Sequence, residues 1–519
     1  MASERLPAVV SPYGPYAGMA LHVHDLTIRG HHSETLVAAE RAEAILRILG
    51  DDRTRRVSRL GRMYALSALG RVDEALRVGE ELAADGAALT GPRSTDAKIL
   101  ADTARMLIQA GRMDDGLHRL AYAMAMLDVA PRKSLRYFSA MASLCESAKS
   151  AELFELAEVA MLNALDAFDT PDDLYRSSAE LQYAELLIEW ALRLEQVQRD
   201  EEAAVLVDKS MAMLRYWMER AVDSPLGMAL LAVCYAKTGL HAESQTIVDE
   251  LLLRMRGEGQ DHEARLLHLA HGLNLRAAGE LRAARREFLA ADELCVRPSQ
   301  RLIFQYELAV TATRDQPGEA TRTVLAALHS HIRMLWQLRL DRRTMLQQAY
   351  RRVELEAART TADLAATSDA LTGLGNRRLF DRRMVSAGDA GSTLLLIDVD
   401  RFKDINDAFS HGVGDRVLVE IAAVLHAHTR HGEAAVRFGG DEFAVFLETS
   451  EHEARQVAER IRQVVLARDW NAIAPGLRVT LSMGLAACRP GETGRDLYDR
   501  ADSRLYAAKR AGRNRLAAA

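Results

Sequence analysis

The sequence predicts a multidomain protein: an all-α repeat superhelix joined by a long helix to a C-terminal α/β domain. Three observations predict it. Apolar residues recur at i, i+3, i+4 and i+7 from about residue 34 to 320, with Leu, Ala, Glu and Arg dominant, which is the pattern of amphipathic helices. A short motif then returns at a nearly fixed step through the same stretch. Past residue 368 the pattern changes to short apolar runs bounded by Gly and Asp, the signature of strands and turns. The expected divisions are 1–33, 34–320, 321–368 and 369–519.

The 519 residues exceed one ordinary core. Hydrophobic residues make up 49% and charged residues 27%, with aromatics at 5%, a globular composition. The net charge of −6 argues against a nucleic-acid partner. Cys145, Cys234, Cys295 and Cys488 have no metal spacing or short-range pairing, so reduced thiols are expected. The best apolar run, 226–236, falls short of the roughly 18–20 residues a membrane helix needs. No basic stretch followed by an apolar one opens the chain. No membrane association and a cytoplasmic location are expected.

Residues 1–33 carry Pro7, Pro12, Pro15, Gly14 and Gly18 and read as an irregular lead-in. His22, His24, His31 and His32 lack a completing cysteine or carboxylate at a recognised spacing and are not read as metal ligands. The repeat begins with Gly70-Arg-Val-Asp-Glu-Ala75 and returns as Gly111-Arg-Met-Asp-Asp-Gly116. Weaker copies start at Glu152, Gln198, Gly239 and Gly279, and 315–320 reads as a decayed last one. The steps are 41, 41, 46, 41, 40 and 36 residues. Each copy falls between two helices. Gly suits the left-handed exit of the first, and the acidic residues suit the N-terminus of the second. The pattern resembles tetratricopeptide-type helical hairpins, with a period above the usual 34 residues. Such arrays stack and form a groove. The resemblance implies an unknown peptide, protein or small-molecule ligand there; a pure scaffold is the competing reading. Trp190 and Trp217 read as core.

Residues 321–368 contain no Pro or Gly and read as one long helix. Leu325, Ile332, Trp336, Leu346, Tyr350, Val353, Ala357 and Leu364 keep 3–4 spacing, interrupted by Arg339 and Arg343. Two readings stand: the seam of a parallel two-stranded coiled coil, or a single helix packed on the last repeat.

In the last division, 392–400 (S-T-L-L-L-I-D-V-D) reads as a central strand, because its apolar run does not alternate. Asp398 closes it, and a carboxylate there needs a compensating cation. The stretch 437–447 (R-F-G-G-D-E-F-A-V-F-L) reads as a hairpin turning at Gly439 and Gly440, since a tight hairpin turn favours residues that tolerate positive φ. Asp441 and Glu442 follow the turn. A helix over 415–429 and a strand over 479–485 complete the core.

With 369–378 (D-A-L-T-G-L-G-N-R-R), 398–418 (D-V-D-R-F-K-D-I-N-D-A-F-S-H-G-V-G-D-R-V-L) and 509–514 (K-R-A-G-R-N), the hairpin resembles the catalytic domain of GGDEF-family diguanylate cyclases over about 367–517. The resemblance implies a nucleotidyl-cyclase palm-like α/β fold. It also implies condensation of two GTP into cyclic di-GMP with release of pyrophosphate, dependence on Mg²⁺ or Mn²⁺, and a homodimer, because each domain holds one GTP. By the same resemblance Asp398, the Val399 carbonyl, Asp441 and Glu442 hold metal. Asp441 and Glu442 are the catalytic pair, and how they divide the work stays open. Phe402, Lys403, Gly439, Gly440, Lys509 and Arg513 face the triphosphate. Asn406 and Asp415 read guanine, with His411 between them; an amide and a carboxylate complement guanine's O6, N1–H and N2–H₂ edge. Asp400 is read as structural. Ser410 and Arg401 depart from the family pattern. Arg430 and Glu433 occupy the product-inhibition motif, with Glu in place of Asp. The alternatives are a catalytically silent receptor for GTP or cyclic di-GMP, and a repeat scaffold.

Overall fold

The computed structural model describes residues 14–87, 94–168, 174–220, 224–254, 261–295, 298–386, 392–430 and 432–518. The chain divides into two compact units, Met1–Glu354 and Leu355–Ala519.

The first unit is a succession of helical hairpins. They pair α1 (Ala17–Ile28) with α2 (His32–Leu49), α3 (Asp52–Ala68) with α4 (Val72–Ala87), and α5 (Ser94–Gln109) with α6 (Met113–Asp128). Next come α7 (Leu135–Ser150) with α8 (Phe154–Leu165), α9 (Leu174–Gln196) with α10 (Asp200–Arg220), and α11 (Pro225–Lys237) with α12 (His241–Arg254). Then α13 (Asp261–Ala277) pairs with α14 (Leu281–Glu293), before α15 (Pro298–Asp315) and the long α16 (Glu319–Thr367). The helix over 17–28 corrects the irregular reading of that stretch; residues 1–13, with Pro7 and Pro12, lie outside the described residues.

The repeat has a backbone cause. Gly70, Gly111, Glu152, Gln198, Gly239 and Gly279 all take positive φ, between 59° and 85°, and each ends the first helix of its hairpin. Gly30 does the same at 78°, forty residues before Gly70, an earlier copy hidden by its His-His sequel. Glu152 and Gln198 take this conformation without glycine's freedom, a strained state for an L residue. At Glu152 the surroundings compensate: Arg193 donates to its carboxylate at 2.6 Å and Arg342 at 3.3 Å. Trp217 is 9% exposed and its Nε1 donates to the Ser177 carbonyl at 3.0 Å. Trp190 stacks on Phe154 with centroids 5.9 Å apart.

The continuous α16 runs from Glu319 to Thr367, and its apolar stripe is used in a way the sequence reading did not foresee. His329 lies against Tyr306 of α15, with centroids 5.4 Å apart. Trp336 then stacks on Phe154 of α8, Arg339 donates to both Glu155 oxygens at 2.9 Å, and Tyr350 donates to Asp128 at the end of α6. Ile332, Leu346 and Val353 are buried. Neither reading of the sequence anticipated this: the stripe leaves the last hairpin and continues onto much earlier ones. Arg339 is no interruption, because its charge is paired inside the same chain.

The second unit contains α17 (Arg377–Ser386), β1 (Thr393–Val399), α18 (Phe402–Phe409), α19 (His411–Ala427), β2 (Ala434–Arg437) and β3 (Glu442–Leu447). It continues with α20 (Glu451–Ala467), β4 (Leu481–Ala487), α21 (Gly494–Arg510) and β5 (Leu516–Ala517). The sheet order is β2-β3-β1-β4-β5, antiparallel except for the parallel β4/β5 pair. As expected for the central strand, β1 is buried on both faces. Leu395, Ile397 and Val399 join one core with Val417, Ile421 and Ile461, while Leu394 and Leu396 join another with Phe380, Leu497 and Leu505. Four buried Cys or half-buried Cys residues (145, 234, 295, 488) carry free thiols. No described helix is long and apolar enough to cross a membrane.

Candidate active site

The register of β1 against β3 sets Asp398 directly opposite Glu442. The Val399 amide donates to the Asp441 carbonyl at 3.2 Å. Strand pairing alone therefore gathers the three carboxylates at one end of the sheet. Lys509, from the last turn of α21, donates to Asp398 Oδ2 at 2.5 Å. Burial raises the Asp398 carboxyl above its ordinary value, Lys509 opposes the shift, and the charges of Asp441 and Glu442 add to it. Net, Asp398 is held above the usual carboxylate range. Such a site favours an added cation.

Among the described residues, no group of three or more His, Cys, Asp or Glu side chains is arranged to hold a metal ion; Asp398 opposite Glu442, with Asp441 beside them, is an open carboxylate set. That donor set suits a small hard cation that takes its remaining ligands from phosphate and water.

The hairpin glycines depart from the expected reason for their presence. Neither Gly439 nor Gly440 takes positive φ. A Cβ at Gly439 would stand 2.4 Å from Glu442 Oε2, so glycine is needed for the carboxylate to fold across the turn. Arg437 holds that turn, donating through Nη2 to the Gly440 carbonyl at 2.8 Å and through Nη1 to Asp369 at 3.2 Å. Asp369 feels burial, which raises it, but the hydrogen bonds from Thr372 and Arg437 prevail and lower its pKa. Gly375 pairs on both sides with β2, its amide donating to the Ala435 carbonyl and its carbonyl accepting from Arg437. The turn at 369–376 is thereby tied to the hairpin over 437–447. Sequence reading missed Arg437; its place two residues before the glycine pair was the available signal.

Phe402 and Lys403 open α18, entered through Arg401 at φ 55°. Lys403 is exposed. Asn406 packs against Gly414, where a Cβ would stand 2.0 Å from Asn406 Oδ1 and 3.1 Å from Phe402. Asn406 Oδ1 is buried with no hydrogen-bond partner among the described residues. A buried acceptor of that kind is costly unless a donor meets it. Asp415 follows Gly414 and is exposed, as is His411.

At the far edge, Arg513 and Asn514 take φ of 62° and 46°. The Asn514 amide donates to Asp400 Oδ2 at 3.0 Å. Thr480 and Ser482 each donate to Asp400 at 2.6 Å. Asp400 thus pins the C-terminal loop that carries the exposed Arg513. Arg430 and Glu433 form a closed turn: Glu433 accepts from the Arg430 amide at 2.7 Å and from the Glu448 amide at 3.4 Å.

Residues 366–515 match the family model described as diguanylate cyclase, GGDEF domain. The chain is similar to diguanylate cyclase DgcP of Pseudomonas aeruginosa, 42% identical over 158 residues, covering 29% of this chain and 24% of that protein. It is equally similar to response regulator PleD of Caulobacter vibrioides, 42% identical over 161 residues, covering 29% of this chain and 35% of that protein. The chain thus spans between about a quarter and a third of the length of these curated relatives. A crystal structure of the coiled coil and GGDEF domain of DgcB from Caulobacter crescentus with c-di-GMP aligns at 32% identity. It covers 34% of this chain and 98% of that one, with a TM-score of 0.31.

Proposed function

We propose that the C-terminal unit is a diguanylate cyclase that condenses two GTP into cyclic di-GMP with release of two pyrophosphates. The observation that carries this reading is the gathering of Asp398, Asp441 and Glu442 beside Lys509 at one sheet end, in a stretch that matches the GGDEF family model. The named diguanylate cyclases among the relatives support the activity.

In this reading a 3′-hydroxyl attacks an α-phosphate and charge spreads over the phosphate oxygens. Mg²⁺ or Mn²⁺ bound by Asp398, the Val399 carbonyl and Glu442 would supply Lewis-acid stabilisation of that charge. Asp441 takes the proton of the attacking hydroxyl. Asn406 and Asp415 read the guanine edge, and His411 borders the base. Phe402, Lys403, Gly439, Gly440, Lys509 and Arg513 line the triphosphate, with the cations offsetting its charge. Lys509 leaves Asp398 for the phosphates when substrate and metal arrive. Asp400 keeps the Arg513 loop in reach.

One domain holds one GTP, so the active species is a homodimer. The helical hairpins act as a tetratricopeptide-like input domain, in the cytoplasm, whose state sets the rate. Arg430 and Glu433 form a product site altered by the longer Glu side chain.

The test is purified protein with GTP and Mg²⁺, its products separated by chromatography, beside Asp441→Ala. Cyclic di-GMP from the wild type and none from the variant is the expected result. GTP bound without product, in the full chain and in a truncation that starts at residue 321 alike, would make the protein a receptor instead.

A further inference from the structure

The face that α16 buries keeps the period of a two-chain seam. Ile332, Arg339, Leu346 and Val353 stand seven residues apart, and their exposures are 1%, 6%, 6% and 5%. Trp336 and Tyr350 flank them four residues on. A heptad stripe is what two parallel helices bury against each other. Here the chain's own hairpins cover it instead. Leu346 and Val353 belong to the same core as Leu127, Phe154 and Ala157. Arg342 donates to the Ala151 carbonyl at 3.1 Å.

Arg339 decides between the two uses. In a two-chain seam its counterpart would be another Arg339, charge against charge. On the hairpins its guanidinium meets both oxygens of Glu155 at 2.9 Å and lies 4.0 Å from the centre of the Trp336 ring. A single set of side chains cannot fill both partners at once. The hairpin-bound form is the one that satisfies the charge.

We propose that the hairpins around α6 and α8 hold residues 332–353 as an internal ligand, and that a second copy of this chain competes for the same stripe. Release from the hairpins presents a self-association surface; capture withdraws it. That capture restrains catalysis rests on the function proposed above, but the competition itself does not.

The experiment uses the full chain without nucleotide. Glu155→Arg breaks the grip from the hairpin side and leaves α16 unchanged; the Glu155 side chain is 45% exposed, so the hairpin itself tolerates the change. Asp128→Lys removes the partner of Tyr350 as a second variant. Sedimentation equilibrium gives the self-association constant, and hydrogen–deuterium exchange reads the protection of 332–353. Glu155→Arg should tighten self-association at least tenfold and speed exchange in 332–353, with Asp128→Lys acting in the same direction. Adding Arg339→Glu to Glu155→Arg should restore protection. Faster exchange with unchanged association in both variants would show that the stripe is no self-association surface. Unchanged exchange in both would show that the hairpins do not hold it. Neither readout depends on GTP turnover.

Discussion

Gly439 is the residue on which hairpin geometry and chemistry meet. Its missing Cβ leaves room for the Glu442 carboxylate. Gly439→Ala should therefore displace Glu442 and lower kcat at least about tenfold, since positioning of a charged group near the reacting phosphate is worth that much or more. The thermal midpoint should shift little, because the clash is with the free end of a flexible side chain. Equal loss of stability and activity would contradict this. Glu287 offers a separate test at the same scale. His268 and His271 lie 2.8 Å and 3.3 Å from its Oε2, and the two imidazoles, opposed by burial, lower its pKa to about 2. A depressed folded-state value contributes stability that is present above the ordinary 4.5 and is lost as pH falls from there toward 2. The group is half-buried, so solvent screening reduces the effect to about 1–2 kcal/mol. Denaturant titrations at pH 5 and pH 3 should show wild type losing that much more than Glu287→Gln. Parallel losses would remove Glu287 from the account.

Among elements, the hairpin turns repay attention because their sequence cue and their backbone cause coincide. Gln198 is exposed and holds φ at 63°, where Gly70, Gly111, Gly239 and Gly279 relax without strain. Gln198→Gly should raise stability by about 0.5–1 kcal/mol, the cost of a left-handed L residue less the added freedom of glycine in the unfolded chain. A lower melting midpoint would contradict the assignment. The turns at Gly70, Gly111, Gly239 and Gly279 were legible from sequence because the left-handed conformation favours glycine; Glu152 and Gln198 were placed by the spacing of the repeat. The same held for β1, whose unbroken apolar run announced burial on both faces, and for the hairpin strands. The use of the α16 stripe was not legible. The Arg339–Glu155 pair joins residues 184 positions apart, and nothing local distinguishes an arginine that interrupts a seam from one that finds a partner elsewhere in the fold. Gly30 was obscured in a different way: its backbone matches the repeat and Glu34 keeps one acidic position, but His31, His32 and Ser33 stand where Arg71, Val72 and Asp73 follow Gly70.

On the scale of the whole molecule, the chain forms two compact units. The site residues from Asp398 to Arg513 all lie within Leu355–Ala519, and the sheet register brings the acidic ones together without help from the hairpins. The motifs were readable because each sits at a strand end or tight turn, where few residue types serve. No ligand for the hairpins was readable, because helical repeats recruit partners through dispersed side chains with no short motif. In the structure part of α16 packs on α6 and α8. The central claim remains the chemistry of the second unit, and chromatography of products from GTP and Mg²⁺ tests it most directly. The account predicts cyclic di-GMP from wild type and a loss of at least about a hundredfold in Asp441→Ala, the scale expected when a group that acts at the reacting centre is removed. Undiminished turnover in the variant would contradict it.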